Sequence, residues 1–275
     1  MIVGYQGEPG AYSEEAAQAL FPGMTAVGLR AFQLVFDALA AGDLDRAVLP
    51  VENTLGGIVQ EVNDCLWETA GMRVVGERIH PVRHCLLGRA GEPVTRAISH
   101  PQALAQCRGW LHEHGIEAVV GEDTAGSARR LAEHPIPGTA AIASGAAGRR
   151  YGLDVLAEGI QDDDSNRTRF LVVEPGAPSR PESGAPGWRT SLAFVTGHVP
   201  GSLLAALQAL STGGVNLTRL DSRPFVGRPF EYRFYLDFDM PSAAAGEQAL
   251  RLLEEAAMTV RLFGSYPAAE PTIGG

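Results

Sequence analysis

The sequence predicts an α/β protein with a long region of alternating strands and helices, followed by a smaller βαββαβ module. Up to residue 175, short apolar runs repeatedly lead through a polar or glycine-containing turn into a segment of helical composition. Residues 175–187 are rich in proline, glycine and serine, which is the composition of a linker. We therefore divide the chain into regions 1–175, 176–188 and 189–266.

The first region begins with a strand at 2–6 and a helix at 11–20. The later apolar runs and helical segments alternate, so helices are expected to cover both faces of a mostly parallel sheet. Pro50 is expected to close one strand, and His80 and Pro81 to separate two others. The further predicted elements are helices at 31–41, 58–68 and 103–114, and strands at 46–51, 74–75, 82–87, 97–98, 116–120, 140–144 and 170–173.

Polar turns recur where these strands lead into helices. Open α/β sheets bind ligands at the carboxyl ends of their strands, so several turns are expected to converge on one cleft. The glycine turn before the first helix leaves backbone N–H groups for an anion, although a structural cap is the commoner use. Ser99 or His100 is expected to cap the helix that Pro101 begins. The turns lie at 10–13, 53–57, 99–102, 123–127 and 144.

The segment 159–173 places Thr168 where an acidic turn enters a buried strand. Its hydroxyl offers one hydrogen-bond donor and two acceptor sites, and its position at the strand entry is expected to hold it stiffly. The flanking Arg167 and Arg169 are permanent cations suited to binding carboxylates. This is a place to hold an organic acid. In the alternative interpretation the two arginines pair with the acids at 162–164, and Thr168 only favours the strand.

Composition limits the possible partners. The net charge is −10 and the pI is about 5.2, which argues against nucleic acid or an anionic membrane as partner. Cys65, Cys85 and Cys107 are odd in number and widely spaced, so disulfides are not predicted. The close histidine pairs at 80 and 84 and at 112 and 114 lack the carboxylate or thiolate arrangement of a zinc site, so no metal is predicted. The sequence lacks the pattern of a leader peptide or membrane span, from which we expect a cytoplasmic protein.

With these motifs placed, the chain resembles the prephenate dehydratase family with a C-terminal ACT regulatory domain. The resemblance covers nearly the whole length, and its motifs occur in the expected order. Two motifs depart conservatively, since Asp221 replaces the usual glutamate and GSLL at 201–204 stands where the family has GALV. The matching stretches are GEPGAYS at 7–13, PVENTLGG at 50–57, SHPQALAQC at 99–107, DTA at 123–125, 140–144 with 151–153, NRTRF at 166–170 and 216–224.

The resemblance implies a bilobal catalytic region like that of periplasmic binding proteins, and a ferredoxin-like ACT domain. It implies a monofunctional, cofactor-free lyase that converts prephenate to phenylpyruvate in phenylalanine biosynthesis. We expect Thr168 to stabilise the leaving hydroxyl by hydrogen bonding, since a threonine is a weak acid. The residues expected to bind the carboxylates and keto group are Asn53, Thr54, Ser99, Gln102, Arg169, Glu52 and Ser13, of which Asn53 and Gln102 are ranked first because their local turns do not require them.

The resemblance also implies feedback by phenylalanine, bound between ACT domains of two subunits in a homo-oligomer. The residues expected near this effector are Gly201, Ser202, Leu203, Leu204, Asn216, Leu217, Asp221 and Ser222.

Two alternatives stay open at this point. The same chemistry on arogenate, which has an ammonium where prephenate has a keto group, would be favoured by a carboxylate near the substrate amine. A non-catalytic amino-acid sensor would combine a bilobal binding region with an amino-acid-binding domain. The pentapeptide around Thr168 speaks for an enzyme.

Overall fold

The computed structural model describes residues 1–181, 187–225 and 228–269. The chain divides into two compact units, the first comprising Met1–Val35, Val48–Gly57 and Ile79–Phe170, and the second Phe36–Ala47, Ile58–Arg78 and Leu171–Gly275. Residues 182–186 of the predicted linker lie outside the described residues. The boundaries at 175 and 189 stay predictions.

The α/β class is confirmed by the order of the elements. In chain order the strands are β1 (Ile2–Gln6), β2 (Thr25–Leu29), β3 (Arg46–Asn53), β4 (Gly57–Ile58), β5 (Met72–Pro81), β6 (Cys85–Gly88), β7 (Arg96–Ser99), β8 (Glu117–Val120), β9 (Thr139–Ala143), β10 (Asp154–Glu158), β11 (Arg167–Pro175), β12 (Trp188–Val195), β13 (Asn216–Phe225), β14 (Arg228–Met240) and β15 (Thr259–Pro267). The helices are α1 (Tyr12–Leu20), α2 (Phe32–Ala41), α3 (Gln60–Glu68), α4 (Pro101–Gln106), α5 (Arg108–Glu113), α6 (Thr124–Glu133), α7 (Gly145–Tyr151), α8 (Ser202–Thr212) and α9 (Ala243–Ala256).

The first sheet has the strand order β2-β1-β3-β11-β5, and β4 pairs with β3. β1 and β2 are parallel, with Ile2 opposite Thr25 and Gln6 opposite Leu29. α1 covers β1 with small residues, because Ala16 and Ala17 pack in one core with Val3, Val48 and Phe170. This core fixes β3 and β11 side by side at their site-forming ends.

Three details of this sheet differ from the sequence-based expectation. Pro50 lies inside β3, which continues to Asn53 instead of ending at the proline. His80 and Pro81 belong to the end of one long strand, β5, and do not separate two strands. β2 was not predicted, since its short sequence contains a glycine and its residues are at most partly buried.

The second sheet has the order β10-β6-β9-β7-β8. β7 runs parallel to β8 and β9, whereas β6 is antiparallel to both β9 and β10. The expectation of a mostly parallel sheet is therefore wrong for β6 and β10, and β10 itself was not predicted. Alanines on α6, α7 and β9 let these helices lie close to the sheet, where Ala125, Ala128, Ala141, Ala143 and Ala147 share one core.

The single helix predicted at 103–114 is two helices, α4 and α5, that meet at Cys107. Asp162 caps α5 from a distant loop, because its carboxylate accepts the backbone N–H groups of Gly109 and Trp110 at 3.0 and 3.2 Å. This cap replaces the intrahelical bonds that a continuous helix would supply.

The third sheet belongs to the second unit and has the order β13-β14-β12-β15. All its neighbouring strands are antiparallel, and α8 and α9 supply the two helices of a βαββαβ fold. β14 alternates with a period of two, and its apolar residues Leu236 and Phe238 lie in one core with Leu192, Phe194 and Leu250.

The other face of this sheet is polar and packs on α3, within the same unit. The Asp64 carboxylate lies 2.6 Å from the Arg223 guanidinium and 2.9 Å from that of Arg233. Asn63 accepts from Arg219 at 2.7 Å, and Gln60 donates to Asp221 at 2.9 Å. The two faces of β14 are therefore buried in different ways, by apolar packing on one side and by ion pairs and hydrogen bonds with α3 on the other.

Candidate functional site

The site is built where β3 ends and β11 begins. The backbone N–H of Thr54 donates to the Arg167 carbonyl at 2.9 Å, and the Thr54 hydroxyl accepts the Arg167 N–H at 3.0 Å. The Thr54 hydroxyl also donates to the Ser165 carbonyl at 3.3 Å. These bonds tie the polar turn after β3 to the first residues of β11, so that Asn53 and Thr168 face each other.

The orientation of the Asn53 side chain is fixed by the turn that follows it, so the expectation that this turn does not require Asn53 is wrong. Its carbonyl oxygen accepts the backbone N–H groups of Leu55 at 3.0 Å and Gly56 at 2.7 Å. Because backbone N–H groups only donate, this end of the amide must be the oxygen. The amide nitrogen is therefore directed at β11, where three oxygens lie within reach: Thr168 Oγ1 at 2.9 Å, Asn166 Oδ1 at 2.8 Å and the Arg167 carbonyl at 3.0 Å.

The Thr168 hydroxyl must accept from Asn53, because an amide nitrogen has no lone pair to receive a proton. Among the described residues no acceptor for the Thr168 hydroxyl hydrogen is present, so its O–H group is left to donate to a bound molecule. Thr168 is buried, as the prediction of a stiffly held hydroxyl requires. The arrangement turns a neutral hydroxyl into a directed donor.

Arg169 pairs with Glu52, whose carboxylate lies 3.5 Å from the guanidinium. Of the acids at 162–164, the Asp162 carboxylate caps α5, and Asp164 accepts from the side chain of Gln161 at 2.8 Å. Arg169 is buried, whereas the Glu52 side chain is 41% exposed. A half-exposed carboxylate thus lies beside a buried cation at the site.

Gln102 meets the turn that follows β3. Its amide nitrogen lies so close to Gly56 that a Cβ on that glycine would overlap it. Ser99 is the last residue of β7, and its hydroxyl donates to the Ile142 carbonyl at 2.6 Å. His100, not Ser99, caps α4, since its ring accepts the Gln102 N–H at 3.2 Å. The structure brings Gln102 to Gly56, in the turn that Asn53 orders, while the Ser99 hydroxyl proton is already used.

The glycine turn before α1 is held by the second sheet's helices. The Gly10 carbonyl accepts from the Ser144 hydroxyl at 2.8 Å, and the Pro9 carbonyl accepts from the Tyr151 hydroxyl at 2.6 Å. Ser13 is buried in the first turn of α1. The Gly10 N–H, expected to be open to an anion, donates to the Glu14 carboxylate at 2.5 Å. At this N–H the protein supplies its own anion.

Several polar residues at the site were not among the predicted site residues. Asn166, Gln106, His84 and Tyr12 extend the hydrogen bonds of Asn53 through the first unit. Asn166 and Gln106 lie inside the motifs NRTRF and SHPQALAQC, so the motifs contained a signal. His84 had none, because a single histidine beside apolar residues is commonly a core residue.

The predicted effector residues lie at the start of α8 and along β13. A cavity of about 430 Å³ opens beside the first turn of α8, with Ser202, Leu203, Val199, Tyr232 and Phe234 among its lining residues. Gly201 adopts the left-handed conformation that begins α8, with φ of 86°. Asn216, Leu217, Asp221 and Ser222 lie on β13, and Leu204 is exposed on α8.

The described residues include neither an activated thiol nor a metal cluster. Burial raises the pKa of Cys65 to about 11 and that of Cys107 to about 12, and it also raises the pKa of Cys85. Within residues 1–181, 187–225 and 228–269, no three His, Cys, Asp or Glu side chains are grouped to hold a metal ion. In the same residues no helix is long and apolar enough to cross a membrane.

Comparison with known proteins finds relatives that match most of the chain. The family model described as prephenate dehydratase matches residues 3–177. The Arabidopsis thaliana protein named arogenate dehydratase/prephenate dehydratase 2, chloroplastic, is 41% identical over 96% of this chain and 72% of its own length. The structure of prephenate dehydratase from Arthrobacter aurescens in complex with L-Phe is 30% identical, with a TM-score of 0.88 over 100% of this chain and 93% of its own. A structure described as GqqA, a quorum-quenching acylase, is 36% identical, with a TM-score of 0.88 over 98% of both chains.

Proposed function

Because the chain belongs to the prephenate dehydratase family, we propose that it converts prephenate to phenylpyruvate with loss of water and carbon dioxide. The electron pair of the bond to the ring carboxylate moves into the ring as carbon dioxide leaves. The ring hydroxyl departs with the electron pair of its carbon–oxygen bond and takes up a proton from solvent to become water. Aromatisation drives the reaction, so the protein has to orient the substrate and stabilise the charge on the departing oxygen.

Thr168 is the residue that we assign to the departing oxygen. The observation that supports this assignment is the Asn53 amide, which donates to Thr168 Oγ1 at 2.9 Å and leaves the hydroxyl hydrogen free to donate. A threonine hydroxyl does not release its proton near neutrality, so stabilisation by a hydrogen bond is its role. Arg169, Gln102 and Ser13 are assigned to the carboxylates and keto group; Ser99 and Thr54 contribute by ordering the site and through their remaining lone pairs.

Arogenate is the second candidate substrate, and Glu52 favours it. An ammonium in place of the keto group needs a nearby carboxylate, and Glu52 is half exposed beside Arg169. The purified protein should be assayed for phenylpyruvate formed from prephenate and for phenylalanine formed from arogenate. If prephenate is the substrate, the Glu52→Gln protein should still turn over prephenate faster than arogenate. A selective loss of arogenate turnover in this variant would assign arogenate as substrate.

Hydrolysis of an acyl bond, as the name of one relative suggests for that protein, finds less support in this site. A hydroxyl nucleophile requires an adjacent base to remove its proton. The partner of the Thr168 hydroxyl among the described residues is the Asn53 amide nitrogen, which is a donor and not a base. The sensor interpretation also finds less support, since a hydroxyl held as a directed hydrogen-bond donor suits catalysis.

We also propose that phenylalanine regulates the activity through the ACT domain, as implied by the complex of the Arthrobacter relative. The cavity beside α8 is largely apolar and of a size for an aromatic side chain. Self-association through this domain is favoured by exposed leucines on α8 and on the edge strand β13: Leu204, Leu217 and Leu220 are 59, 38 and 41% exposed. Addition of phenylalanine should suppress prephenate turnover and change the hydrodynamic size; no effect on either would refute the proposal. A cytoplasmic location stays a prediction.

A further inference from the structure

A row of hydrogen-bonded side chains leads from Thr168 through the first unit to Tyr12. After Asn53, the Asn166 amide donates to Gln106 Oε1 at 3.0 Å, and Gln106 Oε1 lies 2.8 Å from His84 Nε2. His84 Nδ1 in turn lies 2.9 Å from the Tyr12 hydroxyl. We call the residues Asn166, Gln106 and His84 the relay.

The direction of every bond in the relay follows from the backbone. Since Leu55 and Gly56 fix the Asn53 oxygen, the Asn53 nitrogen donates to Asn166 Oδ1 at 2.8 Å, and the Asn166 nitrogen must donate onward. Gln106 therefore presents its oxygen. An oxygen 2.8 Å from His84 Nε2 requires that this ring nitrogen carries the hydrogen.

Tyr12 has two acceptors for its single hydroxyl hydrogen, the Arg83 carbonyl at 2.8 Å and His84 Nδ1. A neutral His84 with its hydrogen on Nε2 leaves Nδ1 as an acceptor, so the Tyr12 hydrogen is shared between the ring and the Arg83 carbonyl. Burial lowers the pKa of His84, which favours this neutral form. The geometry of Asn53 and the burial of His84 thus agree on one tautomer.

The relay is rigidly held. Asn166 is 0% and His84 2% exposed. The His84 backbone N–H donates to the Gln161 side chain at 2.9 Å, and the Gln106 carbonyl accepts the Asp162 N–H at 2.7 Å. Buried polar groups of this kind are commonly core residues that only satisfy one another's hydrogen bonds. Such a role does not require that the bonds through four side chains all have one defined donor-to-acceptor direction.

We propose that His84, Gln106 and Asn166 are positioning residues, which hold the nitrogen end of the Asn53 amide in place while the turn after β3 holds its oxygen, so that Thr168 is kept as a donor to the leaving hydroxyl. This inference rests on the proposed function for its catalytic meaning. Among the described residues no hydrogen bond joins the relay to Thr168, so the relay acts through Asn53, by restricting the movement of the amide nitrogen.

The direction of the relay can be measured without any assay of activity. In ¹⁵N-histidine-labelled full-length protein, ring nitrogen shifts above the ordinary imidazole pKa should show His84 protonated on Nε2, with the signal assigned by its loss in His84→Gln. Asn166→Asp places an acceptor opposite Gln106, so Gln106 turns over and His84 moves its hydrogen to Nδ1. A wild-type His84 protonated on Nδ1, or an Asn166→Asp protein with an unchanged tautomer, would overturn the relay.

Turnover then tests the positioning role. Gln106→Leu should lower kcat roughly 10- to 100-fold with KM little changed. Gln106→Glu keeps an acceptor toward Asn166 and His84 and should recover most of the loss. Gln18→Leu, on the exposed face of α1, controls for the substitution itself. If the wild-type protein turns over prephenate and Gln106→Leu retains its kcat, the relay is refuted while the proposed function stands. If the wild-type protein turns over neither prephenate nor arogenate, the proposed function fails and the positioning role falls with it.

Discussion

The side-chain nitrogen of Asn53 lies 2.9 Å from the hydroxyl oxygen of Thr168, 115 residues away in the sequence. The pair is joined because β3 and β11 are neighbours in the first sheet and the turn after β3 holds the far end of the Asn53 amide. Because Asn53 donates to the Thr168 oxygen, the hydrogen of the Thr168 hydroxyl points away from Asn53. The chemistry of the site follows from this direction.

Gly56 leaves room for the amide of Gln102, and we predict that Gly56→Ala displaces it. A Cβ at this position overlaps the end of a flexible side chain, so the amide moves and the fold remains. Turnover should fall roughly tenfold, while the urea midpoint changes little. Gly76→Ala is the matched control, since its Cβ would meet the Val172 side chain no closer than 3.8 Å. Full activity of Gly56→Ala would remove Gln102 from the site.

His84 makes stability depend on pH. Burial holds the pKa of its imidazole below the ordinary value of 6.5, so the unfolded chain binds a proton at a higher pH than the folded chain. The stability is therefore complete above about pH 6.5 and is lost as the pH falls toward the folded-state pKa, by up to about 1.4 kcal/mol for each pH unit.

Urea unfolding at several pH values between about 7 and 5 measures this loss. His84→Gln should flatten the dependence relative to the wild-type protein, whereas His112→Gln, at an exposed position of α5, should leave it unchanged. Equal slopes for the wild-type and His84→Gln proteins would show that another group is responsible.

Asp64 joins α3 to the polar face of the third sheet, and we predict that Asp64→Ala is strongly destabilising. Arg233 is buried with its guanidinium 5.4 Å from the ring centre of Trp67 and 5.1 Å from that of Phe225, and it would lose its carboxylate. Breaking a buried pair by removing one partner costs about 3 kcal/mol. Urea unfolding of Asp64→Ala should show this loss, and Asp43→Ala, at an exposed position, should not. A loss no larger than that of Asp43→Ala would contradict the importance of the pair.

Much of the fold could be predicted because its signals are local. Neighbouring residues specify the strand, turn and helix around Asn53, and they also specify the capping serine of α7. The division of 103–114 into α4 and α5 could not be predicted, since the cap comes from Asp162, more than fifty residues later in the sequence. β10 was missed because its apolar run, 155–157, is only three residues long and none of the strand's residues is fully buried.

The site was predicted as a set of residues, but not as a geometry. Thr168 and Asn53 do meet, and Gln102 lies beside Gly56 in the turn after β3, whereas the Ser99 hydroxyl is bound to a carbonyl and Thr54 joins two strands. Hydrogen-bond directions depend on which backbone groups a fold brings near a side chain, and a single sequence does not record them. His84 is the plainest case, since its role depends on partners 22 and 72 residues away.

The most direct test of the central claim is kcat for prephenate in the wild-type, Thr168→Val and Thr168→Ser proteins, with urea unfolding as the check of the fold. Valine keeps the branched shape and removes the donor, so kcat should fall on the order of 10²- to 10³-fold with little change in KM. Serine keeps a hydroxyl and should retain most of the activity. Turnover by a folded Thr168→Val protein at close to the wild-type rate would contradict the claim that the Thr168 hydroxyl stabilises the departing oxygen.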